Sequence, residues 1–202
     1  MFKSDNPLAN AMMREIRARH PGLRHALVAD AYVALLHRGE HRELKSSFDA
    51  AMQILRLCWA SDAFLAQSLY RVKAALQRRG VPVLPRICHR LAIMIAGVTI
   101  GDPVVMHPGV HLLHGQVVID GVTEIYPGVV IGPFVSIGLV SGNIGGPTIE
   151  KDVMVGASAS VLGKLTVGEG ATIGANAAVF SDVPAGATVV GVPGRPRTQS
   201  NG

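Results

Sequence analysis

Two hydrophobic periods divide the chain. In LANAMMREIRARHPGL the apolar residues recur at helical spacing until the break at His20-Pro21-Gly22. DAYVALLHRGEH and SSFDAAMQILRLCWASDAFLAQSLYRVKAALQRRG continue that pattern, so residues 8–95 are expected to be helical. Within the longer segment Leu65, Leu69, Val72 and Leu76 step by 4, 3 and 4 and form an amphipathic stripe. Gly80 is placed to end that helix and VPVLP to break it. ICHRLAIMIAG predicts one more short, largely buried helix.

Past Gly97 the period becomes six. Ile149, Val155, Val161, Val167, Ile173 and Val179 are evenly spaced, as are Ile119, Ile125, Ile131 and Ile137 upstream. A helix of about 3.6 residues per turn cannot keep a six-residue row on one face, and an ordinary strand would not contain so many glycines. The geometry that fits is a three-sided parallel β-helix, each hexapeptide supplying one flat face and one corner, with about 18 residues per coil. The expected fold is an α-helical N-terminal domain (1–97), a left-handed parallel β-helix of hexapeptide repeats (98–192) and a C-terminal tail (193–202). Two places break the rhythm. Ile100, Met106 and Leu112 step by six but Ile119 follows seven later, at LLHGQ beside His114. In SGNIGGPT, Asn143 takes an aliphatic position and the chain is expected to leave the coil as a loop.

Composition agrees with a repetitive aliphatic core. Of the 202 residues 49% are hydrophobic, yet only 4% are aromatic and 16% charged. The N-terminus lacks the apolar stretch of a signal peptide and no apolar run is long enough to span a bilayer. Cys58 and Cys88 show no metal spacing and read as reduced thiols in a cytoplasmic protein. The net charge of +5 is uneven: through Gly97 there are 15 Lys/Arg against 7 Asp/Glu, and 4 against 7 afterwards. The basic residues follow helical pattern without interleaved aromatics or a nucleic-acid motif, so a solvated surface is expected and nucleic acid is not.

Three histidines, His107, His111 and His114, fall within eight residues. Three histidines on a β-helix raise the zinc site of γ-class carbonic anhydrases. His111 and His114 have opposite strand parity, however, and no further His/Cys cluster follows, so no metal is expected. His107, in an MHPG corner, reads as a solvated turn residue, and His111 as facing either a ligand or solvent.

The helical half followed by hexapeptide coils resembles the serine O-acetyltransferase family of acyltransferases from about Phe48 to Arg197. FLAQSLYRVKAAL is similar to the family's helix with its Tyr/His-Arg pair, here Tyr70-Arg71. FDAA resembles its Asp-Pro-Ala segment, and GVPGRPR its terminal motif. The resemblance implies a cytoplasmic acetyltransferase of cysteine biosynthesis, assembled as a homotrimer or a dimer of trimers, with acetyl-CoA as acyl donor. His114 would then be the general base that deprotonates an acceptor hydroxyl, a task suited to an imidazole near neutral pH. Asp49 would be a further catalytic residue and Arg71 a substrate contact. Gly156, Ala157, Gly174 and Ala175 would border the donor's extended arm, and Lys164, Arg195 and Arg197 its phosphates. Corner geometry alone is the alternative reading of the small residues. Packing, or pairing with a carboxylate, is the alternative for Arg71, and a solvated carboxylate for Asp49.

The site departs from the family's pattern. Thr99 stands where an Asp orients the catalytic imidazole, and Leu113 where an Asp precedes it. The loop at 141–148 is short, with Gly146 in place of the family's second histidine. A charged amino acid needs paired charges to be desolvated, so acetyl transfer to a hydroxyl is expected and the acceptor stays open. Asp102 or Asp120 are candidates to replace the lost carboxylate. The alternatives are an O-acetyltransferase for a sugar or polysaccharide precursor and a non-catalytic trimeric scaffold.

Overall fold

A computed structural model describes residues 7–41 and 44–196. Among these, five helices precede the β-structure: α1 (Pro7–Arg19), α2 (Leu23–His37), α3 (Ser47–Ala60), α4 (Asp62–Arg78) and α5 (Leu84–Ala96). The segment that reads as one continuous pattern from Ser46 to Gly80 is divided at Ser61. Its backbone is extended (φ −144°, ψ 112°) and its hydroxyl accepts from the Phe64 N–H at 3.3 Å. Apolar periodicity is the same on both sides, so only the N-capping serine marks the break.

The stripe Leu65, Leu69, Val72, Leu76 is only half-buried. The deeper face of α4 carries Ala63, Ala66, Gln67, Tyr70, Arg71, Lys73 and Ala74. These polar side chains are buried because α4 closes the open end of the β-structure, where a first coil exposes carbonyls that no preceding strand can satisfy. Gln67 Nε2 donates to Val110 O at 2.8 Å, Tyr70 Oη to Val104 O at 2.9 Å and Lys73 Nζ to Ile100 O at 2.6 Å. Arg71 Nη2 donates to His107 O at 2.8 Å, and its Nη1 to Met106 O. Burial pushes the Tyr70 phenol up to about 12, which keeps it a neutral donor.

The β-structure is a three-sided parallel solenoid of about 5 turns that matches a left-handed β-helix. One face stacks β1 (Thr99–Ile100), β4 (Val118–Ile119), β7 (Ser136–Gly138), β10 (Ser160–Leu162) and β13 (Ala178–Val179). The second stacks β2 (Val105–Met106), β5 (Val122–Ile125), β8 (Gly145–Ile149) and β11 (Thr166–Val167). The third holds β3 (His111–Leu112), β6 (Val130–Ile131), β9 (Met154–Val155), β12 (Thr172–Ile173) and β14 (Thr188–Val190), with β15 (Arg195–Pro196) antiparallel on its end. All ten aliphatics of the six-residue rows are 1% exposed or less. A second inward row lies two positions before them, among it Val129, Val135, Val153, Ala159, Ala171 and Ala177.

Both irregularities of the sequence appear in the register. Ile119 pairs with Ile100, 19 positions back, and with Ile137, 18 ahead, while Val161 pairs with Ile137, 24 positions back. The extra residue of the first coil sits at Gly115-Gln116, against the end of α5: Gln116 N donates to Ala96 O at 2.7 Å. A Cβ on Gly115 would lie 2.1 Å from that same oxygen, so only glycine lets the helix end reach the coil. The six extra residues form the loop around 139–144, closed by Asn143 N to Val140 O at 3.0 Å.

The expectation of a largely buried last helix is corrected. α5 buries Pro85 and Ala92 while Leu84, Ile87, Leu91, Met94 and Ile95 are exposed. One side packs along α4, and the other carries apolar residues that no described residue covers. Among the described residues no helix is long and apolar enough to cross a membrane.

Candidate active site

Four connectors run from the third face of the solenoid to the first, and they stack into one edge. They are residues 113–117, 132–135, 156–159 and 174–177. His114 belongs to the first of them, Gly156-Ala157 to the third and Gly174-Ala175 to the fourth. The histidine and the two small pairs that the sequence separates by some 60 positions thus share one edge of the prism, His114 and Gly174 being three strand spacings apart, roughly 14 Å. The small residues have a packing reason as well. A Cβ on Gly156 would meet Ala175 N at 2.7 Å, and one on Gly174 would meet Val190 Cγ1 at 2.9 Å.

His114 is exposed, directly after Leu113, whose N–H donates to Ile131 O at 2.9 Å and whose side chain is also exposed. Beside it is a histidine pair that sequence reasoning missed. His37, at the C-terminal end of α2, stacks on His111 with ring centroids 4.5 Å apart. Burial, followed by the charges of His37 and His114, lowers His111 from 6.5 to about 4, so its ring is neutral at neutral pH. His37 lies far away in sequence, and nothing local marks it.

His107 is not a solvated turn residue. It stacks on Tyr126 at 4.6 Å, and its Nε2 lies 2.9 Å from Glu124 Oε1, which also pairs with Arg19 of α1. The three histidines therefore serve three environments, and among the described residues no group of three His, Cys, Asp or Glu is placed to hold a metal ion.

Arg71, a substrate contact in what the resemblance implies, is held inside the fold. It is 3% exposed, and its guanidinium is engaged by Asp30 and the two carbonyls of the first coil. Asp49 lies in the first turn of α3, where its N–H donates to Ser46 Oγ at 3.1 Å and its Oδ2 accepts from Lys45 N at 3.3 Å, a reciprocal cap. α3 packs mainly on α2 and α4. Neither candidate replacement carboxylate bonds to His114: Asp102 Oδ1 is 3.1 Å from Lys73 Nζ, and Asp120 Oδ1 accepts from Gly121 N at 2.8 Å. Lys164 is exposed in the connector after β10, on a different edge, with its stem over Gly145. Arg195 is exposed on β15 opposite Val190, and Arg197 lies outside the described residues.

Comparison with known proteins points one way. The chain is 37% identical over 153 residues to a serine acetyltransferase of Synechococcus elongatus, covering 72% of this chain and 61% of that protein. It is 39% identical over 153 residues to a serine acetyltransferase of Synechocystis, covering 72% and 60%. The match therefore spans about three-fifths of these relatives' length. Among solved structures, soybean serine acetyltransferase complexed with serine superposes with a TM-score of 0.72 at 29% identity, over 89% of this chain and 71% of that one. No protein-family model matches. These likenesses favour neither a sugar acceptor nor a non-catalytic scaffold.

Proposed function

The chain is a homologue of the serine acetyltransferases, and from that premise we propose that it transfers the acetyl group of acetyl-CoA to the hydroxyl of a small-molecule acceptor. The observation that carries this reading is the shared edge: an exposed imidazole at one end and a ladder of Gly-Ala corners below it. Such an edge suits an extended donor, because it presents backbone and small side chains over several coils. In this reading His114 accepts the proton of the acceptor hydroxyl while the oxygen attacks the thioester carbonyl. The C–O bond forms, the C–S bond breaks, and the imidazolium returns the proton to the leaving thiolate, giving an O-acetyl ester and a free thiol. The neighbouring neutral His111 adds no positive charge that would oppose this protonation. Lys164, Arg195 and Arg197 are the cations assigned to the donor's phosphates. Arg71 is assigned to positioning, since it holds the first coil against α2 and α4, and Asp49 reaches the chemistry only through the placement of α3.

Boundaries at residues 97 and 192 are proposed for the helical and β-helical domains. A homotrimer or dimer of trimers is proposed as the assembly, supported by two uncovered apolar faces. α3 exposes Phe48, Met52, Leu55 and Trp59 at spacings of 4, 3 and 4, and α5 exposes the face described above. Contiguous apolar surface of this kind marks protein contacts. The two free cysteines and the absence of a spanning helix among the described residues are compatible with a reduced, cytoplasmic setting.

Serine is the first acceptor to test, because the relatives are serine acetyltransferases. Thr99, Leu113 and Gly146 stand against it. The experiment is thiol release from acetyl-CoA across a panel of hydroxyl acceptors that includes serine. Acceptor-dependent release is expected. Release no faster than hydrolysis with every acceptor would sink the reading.

A further inference from the structure

We propose that the cavity between the C-terminal end of α4, the start of α5 and the first coil binds a small monocarboxylate with an apolar body, its carboxylate held by Arg86. The cavity has a volume of about 650 Å³. That lies well inside the range for small-molecule sites, roughly 300–1,000 Å³. It borders the corner after β1, between the first and second faces, whereas the edge with His114 joins the third face to the first. The two sites are therefore on different edges of the prism.

The lining combines two chemistries. Val81, Pro82, Val83 and Pro85 give it an apolar wall. Two of these four are prolines, whose fixed φ holds the turn between α4 and α5 in shape before a ligand arrives and so lowers the ordering cost of binding. Gln77, Arg86, His89 and Asp102 supply the polar groups. A largely apolar wall with a few convergent polar side chains is the usual make-up of a ligand site.

The sign of the ligand follows from which charges are already paired. Asp102 Oδ1 lies 3.1 Å from Lys73 Nζ, and that ammonium, buried behind the carboxylate, offsets its charge. Burial pushes the Asp102 carboxyl up, but Lys73, a bond from Gln77 and His89 together hold it below the usual carboxylate range, so it stays ionised. Burial, followed by the charge of Lys73, lowers His89 below its usual value, so its ring is neutral at neutral pH and offers one N–H. Arg86 is left as the cation of the lining, and no ion pair among the described residues engages it. Its position is a second anomaly. It stands in the first turn of α5, which has no side-chain cap and no acidic residue, although the helix dipole disfavours a cation there. An anion in the cavity satisfies the guanidinium and the helix end together. One fork of donors matches one carboxylate, and the ionised Asp102 nearby opposes a dianion such as phosphate.

This site does not rest on the acyl-transfer reading, and none of its residues is assigned to the donor. The test titrates hexanoate and its uncharged twin hexanamide calorimetrically into the full chain. Hexanoate is expected to saturate at one per chain. Hexanamide should bind more weakly by about tenfold or more, the loss of one charge-assisted contact. Arg86→Gln, a substitution of an exposed side chain, should weaken hexanoate by a similar factor and leave the circular dichroism spectrum unchanged. Arg90→Gln, one turn further along α5 and outside the lining, should leave hexanoate binding unchanged. Equal affinity for acid and amide would reduce the cavity to a plain apolar pocket and overturn the proposal. Non-saturating binding, or an equal loss in Arg90→Gln, would overturn it by pointing to diffuse surface charge. Inorganic phosphate binding there as tightly as hexanoate would refute the carboxylate class. Displacement of hexanoate by coenzyme A would overturn the proposal too, by making the cavity part of the donor site.

Discussion

Arg71 and Asp30 form a two-point ion pair, Nε to Oδ2 at 2.8 Å and Nη2 to Oδ1 at 3.1 Å, with the two side chains 2% and 1% exposed. Asp30 also accepts from Gly109 N at 2.9 Å, so one carboxylate joins α2, α4 and the first coil. Asp30→Ala leaves a buried guanidinium unpaired, and a loss of about 3–5 kcal/mol in unfolding free energy is expected. The double variant Asp30→Leu/Arg71→Met should lose much less than the sum of the single changes. Urea unfolding of all four proteins measures this coupling.

His114→Ala is expected to lower acceptor-dependent acetyl transfer by about 10²–10⁴-fold, the usual range for a general base. The residue is exposed, so the circular dichroism spectrum should not change. Unchanged turnover would remove His114 from the mechanism.

Gly156→Val places branched carbons against Ala175 N, already 2.7 Å from the position of a Cβ. Overpacking of this kind costs about 1–3 kcal/mol. The melting temperature should fall and donor binding should weaken with it. Binding lost at unchanged stability would instead mark Gly156 as a direct donor contact.

Acid should destabilise the fold through its depressed histidines. His20 and His111 titrate at about 4 in the folded chain against 6.5 in the unfolded one. The unfolded state thus binds more protons between these values. The stability each provides is complete above pH 6.5 and declines as pH falls towards 4, at up to about 1.4 kcal/mol per unit for each residue. Denaturant midpoints from pH 7 to 4 give the slope, and His20→Phe should flatten it. An unchanged slope in that variant would exclude His20 as its source.

Assembly is tested on the uncovered face of α3. Leu55 and Trp59 are 64% and 93% exposed, so Leu55→Asp/Trp59→Asp should leave the isolated fold intact. Light scattering should show the wild-type chain as a trimer or hexamer and the variant at lower mass. A monomeric wild type would rule out the proposed assembly.

Much of the solenoid was legible because its rule is local. Each hexapeptide points one aliphatic residue inward, so the period, the slip at LLHGQ and the excursion around Asn143 all appear in the linear pattern. The site was legible in part. His114 and the Gly-Ala corners stand out by their place in the repeat, whereas His37 lies in another helix and His107 meets Glu124 and Tyr126 from the next coil. The helical half was misread where chemistry replaced hydrophobicity. The buried face of α4 is polar because its partners are carbonyl oxygens, and the outer apolar face of α5 is left open by the described residues.

The sequence by itself determined the two architectures, their junction near Gly97 and the positions where the repeat breaks, since these follow from periodicity and from backbone geometry within a few residues. Only the tertiary structure decided that Gln67, Tyr70, Arg71 and Lys73 cap a β-edge, that Asp30 neutralises Arg71, and that His114 shares an edge with Gly174. Those outcomes depend on which unsatisfied groups meet once the helices fold back over the first coil, and a pairing across 27 or more residues leaves no mark in either period.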